Sequence, residues 1–377
     1  MHIRYFATNR DRENLGRDIE RNTRIKLQKG GYNWIDTQKY MSFYLTTTDP
    51  DRMPSNAIIE DSEQAVFGGF LNYPSIKRIL IGIHGFNVPL HGALNSFSIL
   101  ADTLKAMTPL GDSLVVDPYP TDPEERQQIQ TRLQNPSENL TAFVGFSWPS
   151  NGSVLDYRAD RAEAVSSAPV LANLISVIRE QKPDAEIHLI AHSMGNYLTC
   201  TMLSKLVNKE ITPLRQTEKI MKQVERRDRG GDHNFFVDGY IMMAPDVERR
   251  EVTQCDKHDP DSGNKFSDYL GPFYAGLYHL VGGVYLFYSR HDSALKASKV
   301  EKEAVERLNA VREVFTGANL ANRWEDSLGL NPAPSLAPYN MYSFNASTLG
   351  SRAIDHSDYF DTAAIVKQIA QVILQYR

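Results

Sequence analysis

Residues 186–198, reading Glu-Ile-His-Leu-Ile-Ala-His-Ser-Met-Gly-Asn-Tyr-Leu, constrain the chain more than any other stretch. The first half has the composition of a short buried strand and the second half that of an opening helix, with Ser193 at the bend. A serine on so sharp a strand-to-helix turn needs small residues two before and two after it, because the backbone must approach its neighbours closely. Ala191 and Gly195 occupy those places, giving the nucleophile-elbow pattern with Ala for the first Gly. The unpaired N–H groups of the helix start, led by Met194, are then aimed at any oxyanion formed beside the serine. A plain Ser N-cap on a core helix satisfies the same five residues, so the remainder of the chain has to discriminate.

Strand-like and helix-like runs alternate around that stretch. Residues 3–7 and 40–47 are rich in aromatic and branched side chains and read as strands of an antiparallel edge, separated by a charged segment at 11–28. Residues 78–83 are a near-continuous apolar run ending in His84, Gly85, Phe86 and Asn87, and a helical pattern follows through Leu94, Phe97, Leu100 and Leu104. A second unit starts at 142–146 and continues into a helix bearing Leu171, Leu174, Ile175 and Ile178. After the elbow come strands at 235–243 and 284–288, a helix at 294–315, a Pro-rich loop at 331–339, a strand at 340–344 and a helix at 362–375. Such alternation predicts a mostly parallel sheet with helices on both faces. At 377 residues and 41% hydrophobic, the chain has enough apolar material for one large domain spanning 1–377. Insertions are expected at about 109–139, 205–234 and 251–282, as a cap or lid near the site. Within the last, the aromatic run 266–278 reads as either an apolar acyl pocket or a packed excursion.

Bulk properties exclude several classes. A net charge of −5 with mixed signs along the chain argues against a nucleic-acid partner, and the basic run 219–229 reads as a solvated surface. The two cysteines, Cys200 and Cys255, make no disulfide framework and have no metal-spaced partner, so neither metal nor cofactor is expected, and Cys200 reads as a small buried helix residue. The apolar run 273–288 is too short and too interrupted to span a membrane, and the first residues lack the apolar core of a secretion signal. A cytoplasmic location is the resulting expectation.

Open parallel sheets gather their chemistry beyond the carboxyl ends of the strands, and the candidate residues each follow a strand. A serine hydroxyl needs a histidine to take its proton, and the histidine needs a carboxylate to fix its tautomer; on this type of fold the order is Ser, acid, His. Asp292 and Asp246 both end strands downstream of Ser193. With Asp292 the one later histidine is His356, in the loop between the last strand and the last helix; with Asp246 as the alternative acid, His258, His279 and His291 also satisfy the order. Asp292 is preferred because the later strand is the usual source of the acid. The second oxyanion donor is expected to be the Phe86 N–H, paired with that of Met194, while Gly85 lets the loop approach the substrate. His84 reads as structural, held by loop hydrogen bonds, and His192 as a turn residue facing away from the reaction.

With these residues in view, the chain from Tyr5 onward resembles the bacterial α/β-hydrolase family classed as domain of unknown function 900. The resemblance is carried by residues 6–10, 83–88, 146–150 and 190–196, by Ala244-Pro245-Asp246, by Tyr288-Ser289 with 292–295, and by His356-Ser357. It breaks at 109–139 and 205–234, which are longer and more polar than the family core. It implies an α/β-hydrolase fold and a serine hydrolase with Ser193 as nucleophile, Asp292 as acid and His356 as base. The expected activity is cleavage of a small-molecule carboxylic ester through an acyl-serine intermediate. Two alternatives share the scaffold: a catalytically silent interaction protein, and an acyltransferase using the same serine.

Overall fold

In the computed structural model, residues 2–10, 32–38, 66, 69–150, 157–211, 235–252, 275–298, 327–335 and 337–375 are described. The expected strand at 40–47, the charged segment 11–28, the basic run 219–229, Cys255, His258 and most of the aromatic run 266–278 lie outside them.

The described strands form one sheet: β1 (Tyr5–Thr8), β2 (Asn33–Asp36), β3 (Ile76–Ile83), β4 (Leu114–Val115), β5 (Leu140–Ser147), β6 (Glu186–His192), β7 (Val237–Met243), β8 (Val281–Tyr288) and β9 (Met341–Asn345). Their spatial order is β2-β1-β5-β3-β6-β7-β8-β9, with β4 added beside the start of β5. Every pairing is parallel except β1 with β2. The helices are α1 (Leu90–Met107), α2 (Pro123–Gln134), α3 (Tyr157–Gln181), α4 (Met194–Val207), α5 (Gly276–His279), α6 (Ala346–Gly350) and α7 (Ala363–Gln375). Residues 293–298 are also helical, at the start of the helix expected over 294–315.

The central strands are apolar on both sides because helices cover both faces. Period-two alternation assigns Ile79, Ile81 and Ile83 of β3, with Ile187, Leu189 and Ala191 of β6, to the layer containing Leu174 and Ile178 of α3 and Leu198 and Met202 of α4. Leu80, Ile190, Ile241, Met243 and Phe287 face the opposite layer, with Leu94 and Phe97 of α1 and Ile365, Ile369 and Ile373 of α7. Each such side chain removed from water stabilises the fold by roughly 1.5–3 kcal/mol before entropy is charged against it. Cys200 is buried in the first layer, where loss of solvation pushes its thiol pKa upward.

Topology then fixes where chemistry can occur. The chain passes from β3 to β5 on one side and returns to place β6 on the other side of β3, so the winding reverses at β3. The crevice beyond the carboxyl ends of β3 and β6 is the switch point at which open α/β sheets bind ligands. Residues 109–139 stand at the other end. β4 pairs with Thr141 and Ala142 at the start of β5, and the Ser75 hydroxyl, just before β3, donates to the Leu133 carbonyl at 2.7 Å. Of the three segments expected to be insertions, this one is therefore placed away from the crevice it was expected to shade. Its helix α2 is capped by Asp122, which accepts from Glu125 N at 2.8 Å, and opens with Pro123.

Candidate functional site

Ser193 is the hinge between β6 and α4, with φ 52° and ψ −124°, a conformation that a residue with a Cβ adopts only under constraint. The constraint comes from both sides of the turn. Ser193 N donates to the Met243 carbonyl at 3.1 Å, and the Ser193 carbonyl accepts from Asp246 N at 3.2 Å and Asn196 N at 3.0 Å. Asn196 was missed in the sequence. Its Nδ2 donates to the carbonyls of Ala191, Ser193 and Met243 at 3.1–3.2 Å, while its Oδ1 accepts from the Tyr240 hydroxyl at 2.8 Å. One buried amide thus ties β6, the elbow and β7 together. The signal was an amide side chain three places after the serine, in the first turn of a largely buried helix.

Gly195 is required by packing, since a Cβ there would stand 2.5 Å from the His84 carbonyl oxygen and 2.6 Å from that of Ile83. α4 can therefore begin directly against the end of β3. Gly85 meets the serine itself: a Cβ would lie 2.7 Å from Ser193 Cβ and 3.3 Å from its Oγ.

The loop after β3, expected to supply the second N–H, is pinned by a buried polar network. The His84 ring donates from Nδ1 to the Gly85 carbonyl at 2.9 Å, a direction set by the carbonyl's inability to donate. Its Nε2 accepts from Trp148 N at 3.1 Å and lies 3.2 Å from Ser147 Oγ, and the ring stacks on Trp148 at 5.3 Å. Arg10 is fully buried beside it, donating from Nε to Ser147 Oγ at 2.9 Å and from a terminal nitrogen to the Val88 carbonyl at 2.8 Å. Burial, and then the Arg10 charge, push the His84 pKa down to about 3, so the ring is neutral. His84 is held by loop hydrogen bonds, as expected. Phe86, the next residue but one, sets its ring edge against Tyr157 at 5.5 Å.

The loop after β8 and the loop before α7 are bonded to each other. Asp292, fully buried after β8, accepts from Leu295 N on one oxygen at 2.9 Å and from His356 Nδ1 on the other at 2.8 Å. That leaves Nε2 of His356 to accept a proton, on a side chain 24% exposed. A second clamp runs beside the first: Asp355 accepts from Ser293 N and Ser293 Oγ, each at 2.8 Å, and from His356 N at 2.9 Å. The Ser293 N–H, foremost among these donors, holds the Asp355 carboxyl below its ordinary pKa range.

His192 departs from expectation. Rather than facing away, its Nε2 donates to the His356 carbonyl at 2.7 Å, and the two rings lie 4.5 Å apart. The side chain follows strand alternation: Ile190 two residues earlier faces the α1–α7 layer, and so does His192, toward the loop that precedes α7.

The alternative acid has other company. Asp246 is buried and accepts from the hydroxyls of Tyr157 at 2.5 Å, Ser298 at 3.1 Å and Ser327 at 3.2 Å. Of the histidines that could have served it, His279 belongs to α5 at the start of β8, the opposite end of the sheet, and His291 is exposed. Among the described residues, no cluster of three His, Cys, Asp or Glu side chains is arranged to hold a metal ion, and no helix is long and apolar enough to cross a membrane.

A mostly parallel sheet wound in this order, with a strained serine turn after its central strand and helices on both faces, defines the α/β-hydrolase class. The model of a family described as alpha/beta hydrolase of unknown function (DUF900) matches residues 59–374, and the chain belongs to that family. It is 58% identical over 374 residues to an uncharacterized protein, alr1448, of Nostoc sp. (strain PCC 7120), covering 99% of this chain and 94% of that one. Among solved structures it is similar to lipase B of Aspergillus fumigatus, with TM-score 0.39 and 12% identity over 81% of this chain and 54% of that one, so it spans about half the lipase's length. A Pyrobaculum calidifontis esterase gives TM-score 0.32 and 12% identity over 80% of this chain and 77% of the esterase.

Proposed function

We propose that the protein is a serine hydrolase that cleaves carboxylic esters of small molecules through an acyl-serine intermediate. The observation that supports this is the His356–Asp292 bond at 2.8 Å, in a loop whose His356 carbonyl is bonded at 2.7 Å to His192, the residue before a serine held at φ 52°. An imidazole oriented by a carboxylate is the group that, within reach of a serine hydroxyl, activates it at neutral pH. In the first step His356 Nε2 takes the Ser193 proton as Oγ attacks the ester carbonyl, and Asp292 stabilises the imidazolium. The N–H groups of Met194, at the start of α4, and of Phe86 receive the oxyanion. His356 then returns the proton to the departing alcohol. In the second step it activates water, which releases the acid and restores the serine.

The test is a serine-directed fluorophosphonate together with p-nitrophenyl esters of increasing acyl length. Wild type is expected to be labelled and to release nitrophenol, with Ser193→Ala lowering kcat by about 10⁴-fold or more and abolishing labelling. Folded wild type that neither labels nor turns over any ester would leave the silent-scaffold alternative. A competing alcohol that diverts the acyl group from water into a new ester would mark an acyltransferase.

A further inference from the structure

We propose that His192 is a positioning residue for the base, tying the His356 loop to the strand that carries Ser193. The proposal rests on the ester-hydrolase function argued above. Three groups hold His356: Asp292 at its ring, Asp355 at its backbone N–H, and His192 at its backbone carbonyl. The first bond, and the clamp of which the second is part, lead to residues 292–293, after β8. In the sheet β7 separates β8 from β6, so the acid loop stands two strands, roughly 10 Å, from the elbow. A base fastened to the acid loop alone has its register with the serine fixed only across that gap. The His192 bond closes it, since His192 is the last residue of β6 and is covalently joined to Ser193.

The bond is suited to persist through turnover. A carbonyl only accepts, so His192 Nε2 carries the hydrogen and the neutral ring satisfies the contact. Burial, and then the charge of His356, hold the His192 pKa well below its usual range. When the base takes a proton, its neighbour therefore stays neutral and the tether remains. Packing fixes the ring as well, with Phe360 at 4.9 Å and Tyr359 at 6.5 Å on its other sides.

The test compares His192→Phe, which keeps a ring and loses the donor, with His192→Gln, which restores an N–H donor. Three measurements are made on the full-length protein: kcat and KM for p-nitrophenyl butyrate per fluorophosphonate-titrated site, the His356 Nδ1–H resonance by nitrogen-edited NMR, and thermal unfolding. For His192→Phe we expect kcat per titrated site to fall about 10- to 100-fold, because a displacement near 1 Å costs that much, with KM within about twofold. The His356 resonance should shift or broaden, and His192→Gln should recover most of the loss. A purely structural role would lower the unfolding temperature and the number of titrated sites while leaving kcat per site and the resonance unchanged, and that result overturns the proposal. Should His192→Phe not fold, His192→Met replaces it under the same criteria. If wild type turns over no ester and is not labelled, yet the His356 resonance moves in His192→Phe, the tether stands and the ester-cleaving function falls.

Discussion

Asp292 and His356 are 64 residues apart in sequence, yet the carboxylate accepts from the imidazole at 2.8 Å while its second oxygen is occupied by Leu295 N at 2.9 Å. Both oxygens are thus committed, so the carboxylate cannot rotate without breaking one bond. Asn at this position presents an amide whose nitrogen cannot accept, which drives the imidazole toward the wrong tautomer. Asp292→Asn is expected to lower kcat per titrated site by about 10³- to 10⁴-fold, with little change in KM, by analogy with the chymotrypsin triad. A loss below tenfold would transfer the role to another acid.

Asp246 provides the contrasting case. It gathers hydroxyls from Tyr157, Ser298 and Ser327, which lie in three separate segments, and its own N–H binds the Ser193 carbonyl. Asp246→Asn retains one acceptor oxygen and strands at least one hydroxyl, so a stability loss of about 1–3 kcal/mol is expected. The matching decrease in kcat per titrated site should be less than about tenfold. Urea unfolding and steady-state kinetics on the same preparation check the pair of values, and a severe kinetic loss with unchanged stability would reverse the assignment.

The two site glycines should fail differently when given a methyl group. At Gly195 the Cβ meets backbone carbonyls of Ile83 and His84, which cannot swing aside. Gly195→Ala must push α4 off the end of β3, and overpacking of this kind costs about 1–3 kcal/mol. At Gly85 the obstacle is the Ser193 side chain, 2.7 Å from the added carbon at its Cβ. Gly85→Ala is expected to lower kcat per site more than it lowers the unfolding midpoint, because the displaced group is the proposed nucleophile. Equal thermal losses with unchanged turnover in both variants would contradict this.

How much of this was legible beforehand depended on whether the information was local. The strands at 76–83, 140–147 and 186–192 announce themselves as apolar runs because burial on both faces leaves no polar alternation to confuse them. The Ser193 turn was readable from Ala191 and Gly195, and His356 from its place between the last strand and the last helix. β2 and β4 were not, since four and two residues carry too little periodicity to stand out and are held by pairing partners far along the chain. The direction of His192 and the span of Asn196 were likewise hidden. Each depends on which neighbour the fold brings within 3.2 Å, and the residue type alone gives only the capacity to bond.

The buried histidines also set the pH dependence of folding. His84 titrates at about 3 in the fold instead of 6.5, first through burial and then through Arg10, and His192 and His188 are lowered as well, each chiefly by burial. Between those limits the unfolded chain binds a proton that the folded His84 refuses, so acidification favours unfolding. The stabilising contribution is complete above 6.5 and is lost as pH falls toward about 3. In the interval from about pH 4.5 to 6, above the ordinary carboxylate range, His84 should add about 1.4 kcal/mol per pH unit to the slope of unfolding free energy. His84→Gln removes one of these protons. Its absolute stability will drop through loss of the Gly85 and Trp148 bonds, but the diagnostic quantity is the slope, expected to be shallower than wild type by about 1.4 kcal/mol per pH unit near pH 5. Urea titrations at half-unit pH steps measure it, and parallel lines for the two proteins would mean that His84 carries its charge inside the fold.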